Sequence, residues 1–355
     1  MLHCRCICMR CMEPKRNYCT VSTWCTGVKY YINFTADRSM RIKFVFLFPG
    51  QNSKYPAMLD RLRAVTPVTH RVLRKASRLL GRDLDSHYRA DNPDIFSRNR
   101  DVQIGVFLTN FIYARALEDA GCRADASAGL SLGEYNHLVE IGALSFESAL
   151  RLLDARGAAY DAAPQGCMKS VFPCQEQDVE EALIAGRQHG SVDVSIRLGK
   201  SHFVLGGDAP AVEASVVWLE NEAYAQSRLV DPRLPMHASL FRPAGNAFKA
   251  ALESVPWYVA HAPYLPNVDG EILGIPCADE IVDRLYRHVF STVQWQRSIE
   301  CLVRRFSGAT FIEVGPKSVL YNLVSREYRS LDMFHVDGDD TAALFPAFRT
   351  RVAAA

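Results

Sequence analysis

The sequence predicts an α/β protein that carries an inserted ferredoxin-like unit. Three observations lead to this prediction. A short apolar run at 43–48 ends in Pro49-Gly50, as a buried strand followed by a turn would. A longer segment, 101–121, has apolar residues at helical spacing and ends in glycine. Residues 167–231 then read as strand, helix, strand, strand, helix and strand, which is the βαββαβ order of a ferredoxin-like subdomain.

The composition excludes several classes of protein. The 355 residues suffice for one large domain or two ordinary ones. Because 41 Lys and Arg nearly balance 39 Asp and Glu, the net charge does not indicate a nucleic-acid partner. No uninterrupted apolar run approaches the roughly 18 residues of a membrane-spanning helix. The cysteines beyond residue 25 are scattered, which suits a reducing cytoplasm. We therefore expect a cytoplasmic protein that binds neither nucleic acid nor membrane.

Residues 1–39 differ from the rest of the chain. They hold six of the eleven cysteines and show neither a helical period nor clear strand alternation. We interpret them as a disordered extension, or as sequence upstream of a start at Met40. The alternative is a metal site, but only Cys8 and Cys11 have CxxC spacing. Its candidate ligands would be His3, Cys4, Cys6, Cys8 and Cys11. We expect no metal site in the protein.

The remaining elements complete a core around the inserted unit. Residues 132–144 read as a helix, and Ser145 is a candidate N-cap for the next helix, which runs to about residue 162. Residues 309–316 read as a late core strand. The predicted domains are a core formed by 40–165 and 232–345, and a ferredoxin-like subdomain at 166–231.

Ser131 lies in the G-x-S-x-G pattern of residues 129–133. In such a pattern a sharp strand-to-helix turn strains the serine backbone, and the flanking glycines avoid clashes. The helix that follows directs its positive dipole end at developing negative charge. This context favours a nucleophilic serine. The alternative is a Gly/Ser turn between packed elements.

Arg156 occupies an unusual position in the helix at 146–162. It falls on the stripe that Phe146, Leu150, Leu153 and other apolar residues form at helical spacing. A buried arginine is costly unless it is paired or binds an anionic ligand. The periodicity alone leaves open an arginine that reaches solvent at the edge of the stripe, or that pairs with a local carboxylate.

A base for Ser131 must come from elsewhere in the chain. The sequence contains ten histidines and does not rank them. His237 lies where the chain leaves the βαββαβ unit and rejoins the core, which makes it a candidate.

Six segments together resemble one family, the malonyl-CoA:acyl carrier protein transacylases and the acyltransferase domains of polyketide synthases. They match the motifs of that family in the order of the family. The segments are FLFPGQNS (46–53), GLSLGEY (129–135), GALSFESALRLLDARG (142–157), MHAS (236–239), VQWQRSI (293–299) and FIEVGPKSVL (311–320).

The resemblance implies catalytic roles by position. Ser131 would carry the acyl group and His237 would be its base. The backbone carbonyl of His288 would orient His237; the family often has glutamine there. The backbone N–H groups of Gln51 and Leu132 would form the oxyanion hole.

The resemblance also implies a fold and a reaction. Arg156 would bind the free carboxylate of a malonyl group. The fold would be an α/β-hydrolase-like core with an inserted ferredoxin-like subdomain. The protein would be a monomer without a cofactor, transferring malonyl from malonyl-CoA to the phosphopantetheine thiol of an acyl carrier protein, for fatty acid or polyketide synthesis.

Two departures from the family pattern concern the acyl group. Leu130 replaces the histidine that precedes the nucleophile in the family, and residues 198–203 replace an N-x-P-x-Q-like stretch. Alternatives are therefore an acyltransferase or acyl hydrolase for a different acyl group, a general serine esterase, or a catalytically silent module that binds a carrier protein. Retention of Ser131 and His237 argues against the silent module.

Overall fold

The computed structural model describes residues 20–25, 28–33 and 43–353. The first two ranges are strands β1 (Thr20–Cys25) and β2 (Val28–Asn33), which pair as an antiparallel hairpin. The sequence pattern of residues 1–39 predicts no strand, whereas β1 and β2 lie in this range; the interpretation of the segment as a disordered extension or upstream sequence stays a prediction. Both strands contain β-branched and aromatic residues, and two residues separate them, which favours a hairpin. The metal hypothesis rests on residues 3–11, outside the described residues.

From residue 43 the chain builds two strands of a parallel sheet with the helices around them. The elements are β3 (Phe44–Phe48), α1 (Met58–Val65), α2 (Val68–Leu80), α3 (Leu84–His87), α4 (Asn99–Asp119), β4 (Ala126–Gly129), α5 (Gly133–Glu140) and α6 (Phe146–Asp161). Every residue of β3 is buried, as expected for a strand that pairs on both sides and is covered on both faces. The predicted strand at 43–48 and helix at 101–121 are confirmed, each within two residues.

The ends of α5 and α6 follow from local chemistry. The Ser145 side chain accepts a hydrogen bond from the Ser148 N–H at 3.0 Å, so it caps α6 as predicted. Helix α5 ends at Glu140, four residues before the predicted end. Gly142 has a φ of 77°, and this left-handed conformation terminates the helix.

The next segment forms the predicted βαββαβ unit. Its elements are β5 (Cys167–Phe172), α7 (Glu176–Gly186), β6 (Val192–Gly199), β7 (His202–Gly207), α8 (Ala209–Glu222) and β8 (Gln226–Asp231). The strands make an antiparallel sheet in the order β6-β7-β5-β8, and the unit has its own apolar cluster around Val171, Leu205 and Val212. This confirms the predicted element order, while the domain boundaries stay a prediction.

The C-terminal part completes the parallel sheet. Its elements are α9 (Arg242–Ser254), α10 (Ala278–His288), α11 (Trp295–Arg305), β9 (Thr310–Glu313), α12 (Val319–Glu327), β10 (Met333–His335) and α13 (Thr341–Ala353). Within the described residues, the strand order is β10-β9-β3-β4 and all pairs are parallel. Parallel neighbours end at the same edge, so the turns after β3 and β4 lie side by side. None of the described helices is long and apolar enough to span a membrane.

Candidate active site

Ser131 lies in a strained turn between β4 and α5. Its φ is 52°, in the left-handed region that serine rarely adopts. A Cβ on Gly129 would lie 2.0 Å from the Gly133 backbone, and a Cβ on Gly133 would lie 2.1 Å from the Phe48 carbonyl oxygen. Only glycine fits at either position, so the two glycines allow the close approach of β3, β4 and α5, as the G-x-S-x-G pattern predicts.

The Asn267 side chain holds this turn from the opposite side. Its Oδ1 accepts from the Ser131 backbone N–H at 2.7 Å, and its Nδ2 donates to the Gly129 carbonyl at 2.6 Å. Asn267 is buried in the loop between α9 and α10. Sequence reasoning missed this residue because the loop has no periodicity, and because hydrogen bonds across 136 positions leave no local signal.

The structure brings Ser131 and His237 together. Ser131 Oγ lies 2.7 Å from His237 Nε2, and His237 Nδ1 lies 2.6 Å from the backbone oxygen of His288. Because a carbonyl oxygen only accepts, Nδ1 carries the hydrogen and Nε2 is free to accept the serine proton. Burial, with a smaller contribution from the positive charge of Arg156, lowers the pKa of His237 to about 3. The imidazole is therefore neutral near pH 7, so its Nε2 atom can accept a proton.

Gln51 and Leu132 flank the serine. Gln51 is the first residue of the 3-10 turn Gln51–Ser53, which follows β3. A Cβ on the preceding Gly50 would lie 2.9 Å from the Leu130 carbonyl oxygen. The turn therefore packs directly on the backbone beside Ser131. Leu132 is buried where α5 begins. Gln51 and Ser131 line one cavity of about 50 Å³, to which Leu130 contributes an apolar wall. Residues 198–203 are not among the residues that line this cavity.

Arg156 is a buried cation, only 1% exposed. Its Nη1 donates to Gln103 Oε1 at 2.9 Å, and the Tyr160 ring lies 4.5 Å from its guanidinium carbon. Within residues 43–353, the Nε and Nη2 atoms have no hydrogen-bond partner and no carboxylate forms an ion pair with them. Neither structural alternative raised by the sequence, a solvent-reaching arginine or a locally paired one, is therefore observed.

Gln103 was not identified from the sequence, although a signal existed. It is a fully buried polar side chain in α4, and its Nε2 has no partner among the described residues. A buried amide indicates a polar contact, because an unpaired polar group in a dry interior is costly. The pair of Gln103 and Arg156 thus presents three buried N–H-bearing nitrogens that are free to donate.

A second buried polar group lies behind His237. The side chain of Glu134 is buried, its Oε1 accepts from the Tyr264 hydroxyl, and its Oε2 lies 3.1 Å from His288 Nδ1. The His288 ring stacks on the His237 ring with centroids 4.8 Å apart. The sequence assigned His288 a backbone role only, so its side chain is an additional feature. In the described part of the chain, no group of His, Cys, Asp and Glu could hold a metal ion.

Comparison with known proteins identifies the family. The sequence profile of the acyl transferase domain matches residues 45–353. This chain belongs to the acyl transferase family. The malonyl CoA-acyl carrier protein transacylase of Bacillus subtilis (strain 168) is 26% identical to this acyl transferase over 306 residues, which are 85% of this chain and 96% of that relative.

Two solved structures extend the comparison. MCAT from Streptococcus pneumoniae is 30% identical with a TM-score of 0.78, and the match covers 86% of this acyl transferase and all of that chain. A malonyl-transacylase in complex with a type II PKS acyl-carrier protein is 26% identical with a TM-score of 0.79, covering 87% and 99%. The α/β fold of this acyl transferase, with its parallel and antiparallel sheets, is thus the fold of these proteins.

Proposed function

We propose that this acyl transferase transfers a malonyl group from malonyl-CoA to the phosphopantetheine thiol of an acyl carrier protein, in fatty acid or polyketide synthesis. The observation that carries the choice of malonyl is Arg156. A buried cation with two unpartnered nitrogens needs an anion, and a carboxylate fits the planar guanidinium fork. The positive charge of Arg156 contributes to the lowered pKa of His237, so it acts within electrostatic reach of the base. A free carboxylate distinguishes malonyl from acetyl.

The loading step follows from the Ser131–His237 geometry. The Ser131 oxygen attacks the thioester carbonyl while its proton passes to His237 Nε2. The carbonyl oxygen becomes an oxyanion, which accepts hydrogen bonds from the backbone N–H groups of Gln51 and Leu132. When the carbon–sulfur bond breaks, the coenzyme A thiolate takes the proton from His237, and malonyl stays on the serine as an ester.

The transfer step reverses these movements with a different thiol. His237 accepts the proton of the carrier thiol, and the thiolate attacks the ester carbonyl. The oxyanion forms in the same hole, and Ser131 recovers its proton from His237 as the ester bond breaks. The small apolar cavity around Ser131 limits water, which would otherwise hydrolyse the ester. We place the reaction in a cytoplasmic setting, which suits the scattered cysteines beyond residue 25.

The test is intact-mass spectrometry of the protein after incubation with a panel of acyl-CoAs. We expect the mass of one malonyl group on the wild type, its loss when holo acyl carrier protein is added, and no adduct on Ser131→Ala. His237→Ala should slow loading by about 10²–10⁴-fold. A malonyl adduct on Ser131→Ala would contradict the nucleophile, and release of free malonate instead of transfer would indicate a hydrolase.

A further inference from the structure

Glu134 and His288 form a buried acid–base pair that the proposed mechanism does not use. Both side chains are 1% exposed, and Glu134 Oε2 lies 3.1 Å from His288 Nδ1. Among the described residues neither of these two atoms has a hydrogen-bond partner, so the structure shows two buried polar atoms in close approach. Two facing groups of this kind are stable in a dry interior when one proton lies between them, since the pair then carries no net charge.

His288 contacts His237 in two ways. Its backbone oxygen accepts from His237 Nδ1, and its ring stacks on the His237 ring at 4.8 Å with an angle of 18° between the planes. Positive charge that forms on His237 during acyl transfer therefore forms against the face of the His288 ring. A protonated His288 would oppose this charge strongly in a low-dielectric site, whereas a neutral His288 would not.

The groups around the pair determine where its proton lies. The Tyr264 hydroxyl donates to Glu134, Arg156 acts on both Glu134 and His288, and Asp269 acts on Glu134 while paired with Arg284 at 2.7 Å. Burial raises the pKa of Glu134 to about 8 and lowers that of His288 well below its usual value, to which neighbouring His237 contributes. Both changes favour the proton on the carboxyl group near pH 7.

We propose that Glu134 and His288 share one proton and together act as a positioning pair for His237. This inference rests on the proposed role of His237 as the base. With the proton on Glu134, a neutral carboxyl group faces His288 Nδ1 at 3.1 Å, and the stacked ring, whose pKa burial lowers, stays neutral as well. When the pair loses its proton at higher pH, negative charge remains near His237 and favours the imidazolium. The loading rate should therefore rise as the pair ionises.

The experiment measures the malonyl loading rate by rapid quench between pH 6 and pH 9. Glu134→Gln cannot ionise, so its rate should not rise with pH and should be about tenfold below wild type at the alkaline end. Glu140→Gln, on the same helix α5, is the matched control and should keep the wild-type profile. A wild-type rise that persists in Glu134→Gln would overturn the proposal.

A double-mutant cycle tests whether the two residues act together. Glu134→Ala should slow loading about tenfold at pH 7 but less than twofold in the His288→Gln background, because the stacked His288 ring through which Glu134 acts on His237 is then absent. His288→Gln keeps the backbone oxygen that orients His237. If Glu134→Ala slowed loading equally in both backgrounds, the proposal that the two residues act together would be overturned. If Glu134→Ala does not fold, the pH profile of Glu134→Gln decides. A wild type that takes up no malonyl would instead refute the proposed function.

Discussion

At the scale of single residues, Ser131 and His237 both hold backbone conformations that their neighbours enforce. Their φ angles are 52° and 62°. Asn267 holds the Ser131 N–H, and the Val289 carbonyl accepts the His237 N–H at 3.0 Å. Strained conformations persist only where surrounding contacts determine them, and here they fix both ends of one hydrogen bond. The short distance between Oγ and Nε2 is therefore a property of the backbone as much as of the side chains.

Arg156→Ala should lose malonyl loading selectively. A charge-assisted contact in a dry site is worth about 2–4 kcal/mol, so the malonyl loading rate should fall about 30- to 1,000-fold. Acetyl loading should fall much less, because acetyl has no carboxylate. Arg156→Lys should restore only part of the malonyl rate, since lysine lacks the planar fork. Equal losses for malonyl-CoA and acetyl-CoA, with a lower Tm, would instead assign Arg156 a structural role.

At the scale of elements, the local sequence pattern predicted some elements and missed others, among them the amphipathic helix α2 and the capped helix α3. The βαββαβ unit, β3 and the cap at Ser145 were predicted because alternation, burial and capping leave signals within a few residues. The contacts that complete the candidate site were not predicted. Asn267 and the Glu134–His288 contact join residues more than 130 positions apart, and only the folded chain brings them together. Helices α1–α3 between residues 54 and 98 were likewise not predicted.

The contact between β3 and α5 should tolerate no added atom. In Gly133→Ala the new Cβ would lie 2.1 Å from the Phe48 oxygen, so α5 must move away from β3 and carry Leu132 with it. We expect a loss of about 1–3 kcal/mol in the free energy of unfolding, and loading reduced at least tenfold. Urea unfolding and loading assays measure both.

Gly81→Ala is the matched control for this prediction. Gly81 has a positive φ, of 62°, and nothing lies within 4 Å of its added Cβ, so this variant adds backbone strain without a steric clash. The Gly81→Ala protein should lose about 1 kcal/mol in the free energy of unfolding and keep the wild-type loading rate. A Gly133→Ala protein that loads at the rate of the Gly81→Ala protein would show that the close approach of β3 and α5 does not position the proposed oxyanion hole.

At the scale of the whole molecule, the compact unit that holds the candidate site begins after the first 41 residues. The chain divides into two compact units, and the larger one begins at Ile42. Its first strand, β3, is central to the parallel sheet and ends at the Gln51 turn. The fold and the candidate site thus depend on residues that follow the cysteine-rich segment at 1–39.

Deleting residues 1–39 should leave folding and activity unchanged. The strand that starts the core, β3, begins at Phe44, and no proposed site residue precedes Gln51. The Tm and the malonyl loading rate of the truncated protein should match those of the full chain. Metal analysis of the full chain is the companion measurement. Stoichiometric zinc that disappears with the segment, together with a lower Tm, would restore the metal hypothesis.

Buried histidines should make the molecule sensitive to acid. Burial lowers the pKa of His137 to about 3, and Leu265 donates its N–H to His137 Nε2 at 3.0 Å, so this nitrogen carries no proton in the folded state. His237 and His202 also have lowered pKa values, of about 3 and about 4, with burial as the main cause. The unfolded chain binds protons at these residues below about pH 6.5, whereas the folded chain does not until about pH 3–4. Stability should therefore fall as the pH drops through this window.

The size of this effect can be measured on one residue. Each histidine contributes a slope of up to about 1.4 kcal/mol per pH unit, or about 2 kcal/mol between pH 6.5 and pH 5. His137→Gln can still accept from Leu265 but cannot titrate, so it should lose less stability than wild type over that interval, even if it is less stable at pH 7. Urea unfolding at several pH values gives the two slopes. Parallel slopes for wild type and His137→Gln would show that His137 is not a source of the acid sensitivity.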